Sequence, residues 1–107
     1  MKILIAIAAL AMLLFGCIAQ ERPPEAAGAS GICISECQRQ MLSGRDLSSG
    51  PCLLDGIPDY PDWVCDAAHS PRIAVDNLPE NQCSAYASGR ARHFIEVSPD
   101  CKLIQEY

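Results

Sequence analysis

The chain has 107 residues, seven cysteines and a formal net charge of −5. That length leaves room for one domain with a modest core, and a folded part below roughly 70–80 residues commonly needs cross-links to offset chain entropy. The acidic balance, with no basic cluster beyond Arg90 and Arg92, excludes nucleic acid as a partner and excludes adhesion to a membrane surface by charge.

At the N-terminus Lys2 supplies a positive charge and residues 3–15, ILIAIAALAMLLF, form an uncharged apolar run. This is the pattern of an export signal, shorter than the about 20 apolar residues a membrane-spanning helix requires. An uncleaved N-terminal anchor is the alternative, and export is common to both. Residues 14–17, LFGC, resemble the lipobox of prokaryotic lipoproteins, in which the signal is cut before the cysteine and its sulfur carries lipid. The competing reading is ordinary cleavage after Ala19, with Cys17 and Ala19 as the small residues of the site; Phe15, bulkier than the usual lipobox residue, speaks for it. We favour lipidation because the small Gly16 and then Cys17 directly follow the apolar run.

The expected organisation is therefore a signal over residues 1–16, the lipidation site Cys17 and a flexible tether over 17–30, and a folded domain over 31–107. The tether, IAQERPPEAAGASG, has no sustained apolar period. With Cys17 set aside, the remaining cysteines are Cys33, Cys37, Cys52, Cys65, Cys83 and Cys101. An even set can close into three bridges, for which about 15 connectivities exist. Such bridges are stable outside the reducing cytosol.

Residues 32–43, ICISECQRQMLS, place Cys33, Cys37 and Met41 at a spacing of four and predict a helix with that face inward. Glu36, Arg39 and Gln40 lie away from it, with Ser30 as N-cap and Gly44 as the stop. Two cysteines on one helix face project nearly in parallel, so each is expected to bridge a different distant segment. Residues 45–60 are broken by Gly and Pro and read as irregular chain pinned by Cys52. Residues 62–68, DWVCDAA, predict a short core-contacting element around the single tryptophan, Trp63.

Residues 69–78 read as a loop, and Pro79 opens a short second helix that ends at Gly89, with Cys83, Tyr86 and Ala87 on one face. Residues 92–97 and 102–107 are strand-like and flank Ser98-Pro99-Asp100-Cys101, a turn, which predicts a β-hairpin. The fold class is a small disulfide-rich α+β domain with two short helices and a C-terminal β-hairpin. The segments WVCDAAHSPR, VDNLPENQC and GRARHFIEVSPDC resemble small exported proteins of archaea over the folded part of the chain. That group carries no known activity, so the resemblance implies no chemistry.

Four kinds of site are conceivable from the residues. Cys33, Cys37, His69 and His93 supply zinc-type donors, but the tight paired-cysteine spacing is absent and the disulfide reading dominates in an oxidising compartment. Asp55, Asp59, Asp62 and Asp66 offer hard oxygen ligands without the alternating spacing of a calcium loop, and read better as a solvated acidic stretch. Ser70 with His69 or His93 and Asp66 or Asp76 contains the elements of a hydrolytic triad, with no G-x-S-x-G elbow to expose a nucleophile. His93, alternating with Ile95 and Val97, reads as half-buried core. Finally, the loop between Cys65 and Cys83 is a candidate binding loop carrying His69, Arg72 and Asp76, with Arg72 either a specificity residue for a protease or the partner of a carboxylate such as Asp76.

The expectation is thus an exported, lipid-anchored, disulfide-rich binding or envelope-associated module that needs no metal or other cofactor. It attaches to the membrane through lipid on Cys17, with an unidentified protein as partner. The alternative is a freely secreted domain acting as a protease inhibitor or a small hydrolase.

Overall fold

The computed structural model describes residues 23–107. The signal and Cys17 lie outside the described residues. Helix α1 spans Ala26–Leu42. It begins earlier than the apolar period indicates, so residues 26–30, read from sequence as tether, are helical, and Ala26 and Ala29 are fully buried. Alanine and glycine carry little hydropathy signal, yet they let a helix lie close against its neighbours. Gly28 marks the closest approach: a Cβ there would stand 2.0 Å from the Tyr60 hydroxyl. Ser30 lies inside the helix rather than capping it; Glu25 is the N-cap and makes no side-chain cap bond.

At the other end of α1, Gln40 is buried while Met41 is 42% exposed, the reverse of the predicted face. The Gln40 amide donates to the Leu53 carbonyl at 3.2 Å and to Glu36 at 3.0 Å. A buried amide with its hydrogen bonds made is tolerated where an unpaired one is not.

Four strands follow: β1, Cys52–Leu54; β2, Trp63–Ala67; β3, His93–Val97; and β4, Leu103–Glu106. They form one sheet in the order β1-β2-β3-β4. The outer pairs are antiparallel and β2 runs parallel to β3, with Trp63 opposite His93 and Asp66 opposite Glu96. The predicted C-terminal hairpin is the pair β3 and β4.

A parallel pair needs a long crossover, here residues 68–92. It contains 3-10 turns at Ala74–Asn77 and Pro79–Asn81 and the four-residue helix α2, Ser84–Ala87. The single helix expected from Pro79 to Gly89 is broken at Gln82 and Cys83, which are extended. Cys83 reaches from there to Cys52 on β1, and Ala85 rather than Tyr86 turns inward.

Side chains alternate across the sheet. Trp63, Cys65, Ala67, Ile95 and Val97 face α1 together with Ala26, Ala29, Cys33 and Cys37. On the opposite face Val64 and Phe94 meet Cys83, Ala85 and Ala91 under the crossover. All five residues of β2 are buried, as a strand covered on both sides requires.

Three disulfides close the domain: Cys33–Cys65, Cys37–Cys101 and Cys52–Cys83. The two cysteines of α1 go to different segments, β2 and the hairpin turn, as their spacing predicts.

Candidate functional site

The crossover begins with a polar network over the end of β2 and β3. Asp76, fully buried, is its centre. One carboxylate oxygen accepts from the backbone N–H groups of His69 at 3.0 Å and Ile73 at 2.9 Å. The other lies 2.9 Å from the His69 ring Nδ1, which donates to it. Burial alone would raise the Asp76 pKa, but these bonds from Ile73 and His69 outweigh it and hold the group below its ordinary value. Gly50 makes room for it: with φ +68, a Cβ there would meet the Asp76 carboxylate at 2.3 Å.

Arg72 spans the network. Its Nη1 pairs with Glu96, its Nε donates to the Asn77 side chain at 3.1 Å, and its Nη2 donates to the Asp76 carbonyl at 3.1 Å. Gln82 donates to the same carbonyl. Beside Glu96, on the neighbouring strand, stands Asp66, which is 8% exposed and has one carboxylate oxygen without a hydrogen bond among the described residues. Desolvation pushes its pKa up to about 8; Arg72 opposes this, and Glu96 and Asp76 add to it. Burial therefore favours the neutral acid at Asp66.

A second constellation lies at the opposite end of the parallel strands, where the turn over residues 55–62 meets the start of α1. The turn is tied by Tyr60 N–H to the Ile57 carbonyl and by Ile57 N–H to the Trp63 carbonyl, both 2.9 Å. It borders two cavities that share Asp59 and Pro61. The larger, about 640 Å³ and broadly open, is lined by Asp55, Ile57 and Arg90 among others. Asp55 is occupied there in capping α2 through Ser84 and the Ala85 N–H. The smaller, about 320 Å³, is bounded by Glu25, Asp59, Tyr60, Asp62, Trp63 and Arg92.

In the smaller cavity Asp62 and Arg92 neutralise one another: the carboxylate accepts from Arg92 Nε and from its backbone N–H, each at 2.9 Å. Those hydrogen bonds lower the Asp62 pKa. Trp63 is 1% exposed and its indole stacks on His93 with ring centroids 4.6 Å apart. His93 Nδ1 lies 3.1 Å from the Tyr107 carbonyl, to which it donates. Among the described residues the Trp63 Nε1–H has no acceptor.

No protein-family model, curated protein or solved structure matches the chain.

The structure brings the predicted loop residues His69, Arg72 and Asp76 together, but as a closed network. Arg72 pairs with the carboxylate of Glu96, not of Asp76, and its donors are committed within the domain rather than presented to a protease. Among the described residues no hydrogen bond joins Ser70 to His69 or Asp76, so the triad lacks its nucleophile; His93 lies in the other constellation against Trp63. Cys33 and Cys37 are consumed by disulfides, which removes them as zinc ligands. Asp55, Asp59, Asp62 and Asp66 disperse: the first caps α2, the third holds Arg92 and the fourth is buried at the far end of β2. Among the described residues one trio of metal-type donors converges, Cys52, Asp55 and Cys83, and two of its members are bonded to each other.

Sequence reasoning passed over Glu96, Glu25, Tyr60 and the pairing of Asp62 with Arg92. A signal existed for Glu96: it interrupts the apolar run HFIEV on the same side as Phe94, just as Asp66 interrupts WVCDAA. Two ionisable residues at matching points of two buried strands point to each other once the strands pair.

Proposed function

We propose that the chain is an exported lipoprotein whose disulfide-stapled domain works as an extracytoplasmic binding module held to the membrane by lipid on Cys17. The observation that carries this reading is the cysteine pairing. All six cysteines of the described residues close into three bridges, which leaves Cys17 as the seventh. Bridges of this kind persist outside the reducing cytosol, and Cys17 sits directly behind an apolar export signal. Among the described residues no helix is long and apolar enough to cross a membrane. One acyl chain binds marginally; a lipoprotein anchor with two or more chains holds firmly.

Binding rather than catalysis is favoured because the acid–base groups that meet, His69, Asp76, Asp66 and Glu96, are engaged in or buried under the crossover. The two cavities described above lie elsewhere, around the 55–62 turn. Mass spectrometry of the intact mature protein tests the export reading. A start at Cys17 with added lipid mass, and a gain of about 6 mass units on reduction, are the expected results. A start at Ile18 or later, or partition into detergent that survives Cys17→Ser, overturns the lipid anchor.

A further inference from the structure

We propose that Cys52–Cys83 is a reversible thiol–disulfide exchange site, opened by an external dithiol while the other two bridges stay closed. The inference goes beyond the binding-module reading and does not need the lipid anchor. The three bridges differ in what covers them. Cys33–Cys65 and Cys37–Cys101 are the two that α1 makes: Cys33, Cys37 and Cys65 are fully buried in the core beneath the helix, and Cys101 is 6% exposed. A reductant reaches them by lifting the 17-residue helix off the sheet. Cys52–Cys83 lies on the other face. Of the six bridged cysteines Cys52 is the one that is not buried, and it sits on β1, an outer strand of three residues. Cys83 belongs to the extended break between the second 3-10 turn and α2. A short irregular cover opens locally at lower cost than a packed helix, and thiol–disulfide exchange follows access.

The second observation is what surrounds the two sulfurs. Cys83 Sγ lies 3.5 Å from the Cys65 carbonyl oxygen and 3.7 Å from that of Leu54, and Cys52 Sγ lies 3.8 Å from the Cys65 oxygen. The Asp55 carboxylate stands within 4.8 Å of both sulfurs. In the other two bridges one contact of this kind is found among the described residues, from Cys37 Sγ to the Ser98 carbonyl at 3.9 Å. A disulfide sulfur has no proton to give such acceptors, whereas a thiol donates an S–H bond. The acceptors therefore favour the open pair over the bridge, and a couple whose reduced form is stabilised is the more readily reduced.

In the exchange one thiolate of the dithiol attacks Cys52 Sγ, the Cys52–Cys83 bond breaks, and Cys83 leaves as a thiolate that takes up a proton. The second thiolate of the reductant then attacks the reductant's own sulfur in the mixed disulfide and releases Cys52 as the other thiol. A pair of electrons and a pair of protons pass to the protein, and the reductant departs as a cyclic disulfide. Opening frees the crossover from β1, while α1 keeps its bridges to β2 and to the hairpin turn.

The experiment equilibrates the intact oxidised protein with graded ratios of reduced to oxidised dithiothreitol, traps free thiols with iodoacetamide and maps them by peptide mass spectrometry. Trp63, the single tryptophan, is 1% exposed in the core under α1, so its emission reports whether that face stays closed. Cys52 and Cys83 are expected to be alkylated at a ratio about tenfold lower than the other four cysteines, with the Trp63 emission unmoved. Return to oxidised dithiothreitol should restore the bridge. First alkylation at Cys33, Cys37, Cys65 or Cys101, opening of all the bridges together, a shift of the Trp63 emission at the first step, or failure to reclose overturns the proposal. The double variant Cys52→Ala/Cys83→Ala separates local opening from unfolding. It should keep the parental Trp63 emission and gain about 4 mass units on full reduction; a variant that loses that emission overturns the proposal, because the open state would then be an unfolded one.

Discussion

The two faces of the sheet are closed by different means. On one, α1 covers Trp63, Cys65, Ala67, Ile95 and Val97, and its backbone groups bond within the helix. On the other, the crossover has no helix longer than four residues, and side chains supply what a helix would: Asp76 accepts from two backbone N–H groups, while Arg72, Asn81 and Gln82 donate to backbone carbonyls. Buried backbone groups must be paired wherever they lie. An irregular cover therefore needs buried polar side chains, and the ionisable residues of the core are concentrated on that face.

Disulfides give the largest expected test of this contrast. Removing the Cys37–Cys101 bridge, which spans a sequence separation of 64, should cost about 4 kcal/mol on the chain-entropy account. The Cys52–Cys83 bridge, with a separation of 31, should be worth nearly as much by the same account. Urea midpoints of the two double cysteine-to-alanine variants measure the totals, and hydrogen exchange separates their distribution. Loss of Cys52–Cys83 should expose amides of residues 68–92 first, while those of α1 stay protected; uniform loss over both faces would erase the distinction.

Next in size is Asp76→Ala, which strands two backbone donors in the interior and should destabilise by roughly 3 kcal/mol or more. Gly50→Ala attacks the same contact from the other side and should cost about 1–3 kcal/mol, from the positive φ and the 2.3 Å approach together. If either variant unfolds at the parental urea concentration, the crossover does not depend on this network.

Asp66 sharpens the comparison through pH. Its folded pKa, about 8, stands above the ordinary 3.8. The folded chain therefore holds a proton that the unfolded chain has released in that window. The stability associated with the neutral acid is full below about pH 4 and is lost as pH rises to about 8. Asp66→Asn should remove this dependence: little changes at pH 4, and at pH 9 the variant should be the more stable, by on the order of 2–5 kcal/mol. Equal pH profiles for parent and variant would show that Asp66 ionises freely beside Arg72, Glu96 and Asp76.

The smallest effect is expected on the outer surface of α1. Arg39 hydrogen-bonds Glu36 one turn away and holds its carboxyl at a pKa of about 2. Arg39 is exposed to solvent and Glu36 keeps its bond from Gln40, so Arg39→Ala should leave the thermal midpoint unchanged within error.

Much of the covered apolar face was legible along the chain. The spacing of Cys33 and Cys37 implies one inward helix face and two distant partners, and the segments around the 98–101 turn alternate as a hairpin does. The missed part was the first turns of α1: Ala26 and Ala29 are small, and their burial follows from close approach to the sheet rather than from hydropathy. Around the crossover less was readable. His69, Arg72 and Asp76 were recognisable as one loop, but Arg72 finds Glu96, 24 residues on, because β2 and β3 run parallel.

The sequence by itself determined the N-terminal apolar run, the even set of six cysteines that follow Cys17 and the α+β composition, since each depends on residue type and short spacing. The tertiary structure decided the disulfide connectivity, the parallel pairing that sets Asp66 beside Glu96, and the meeting of Glu25, Asp59 and Trp63 around one cavity. Those contacts join residues far apart in the chain, and they exist only once the crossover has brought β3 alongside β2 and α1 has packed across both.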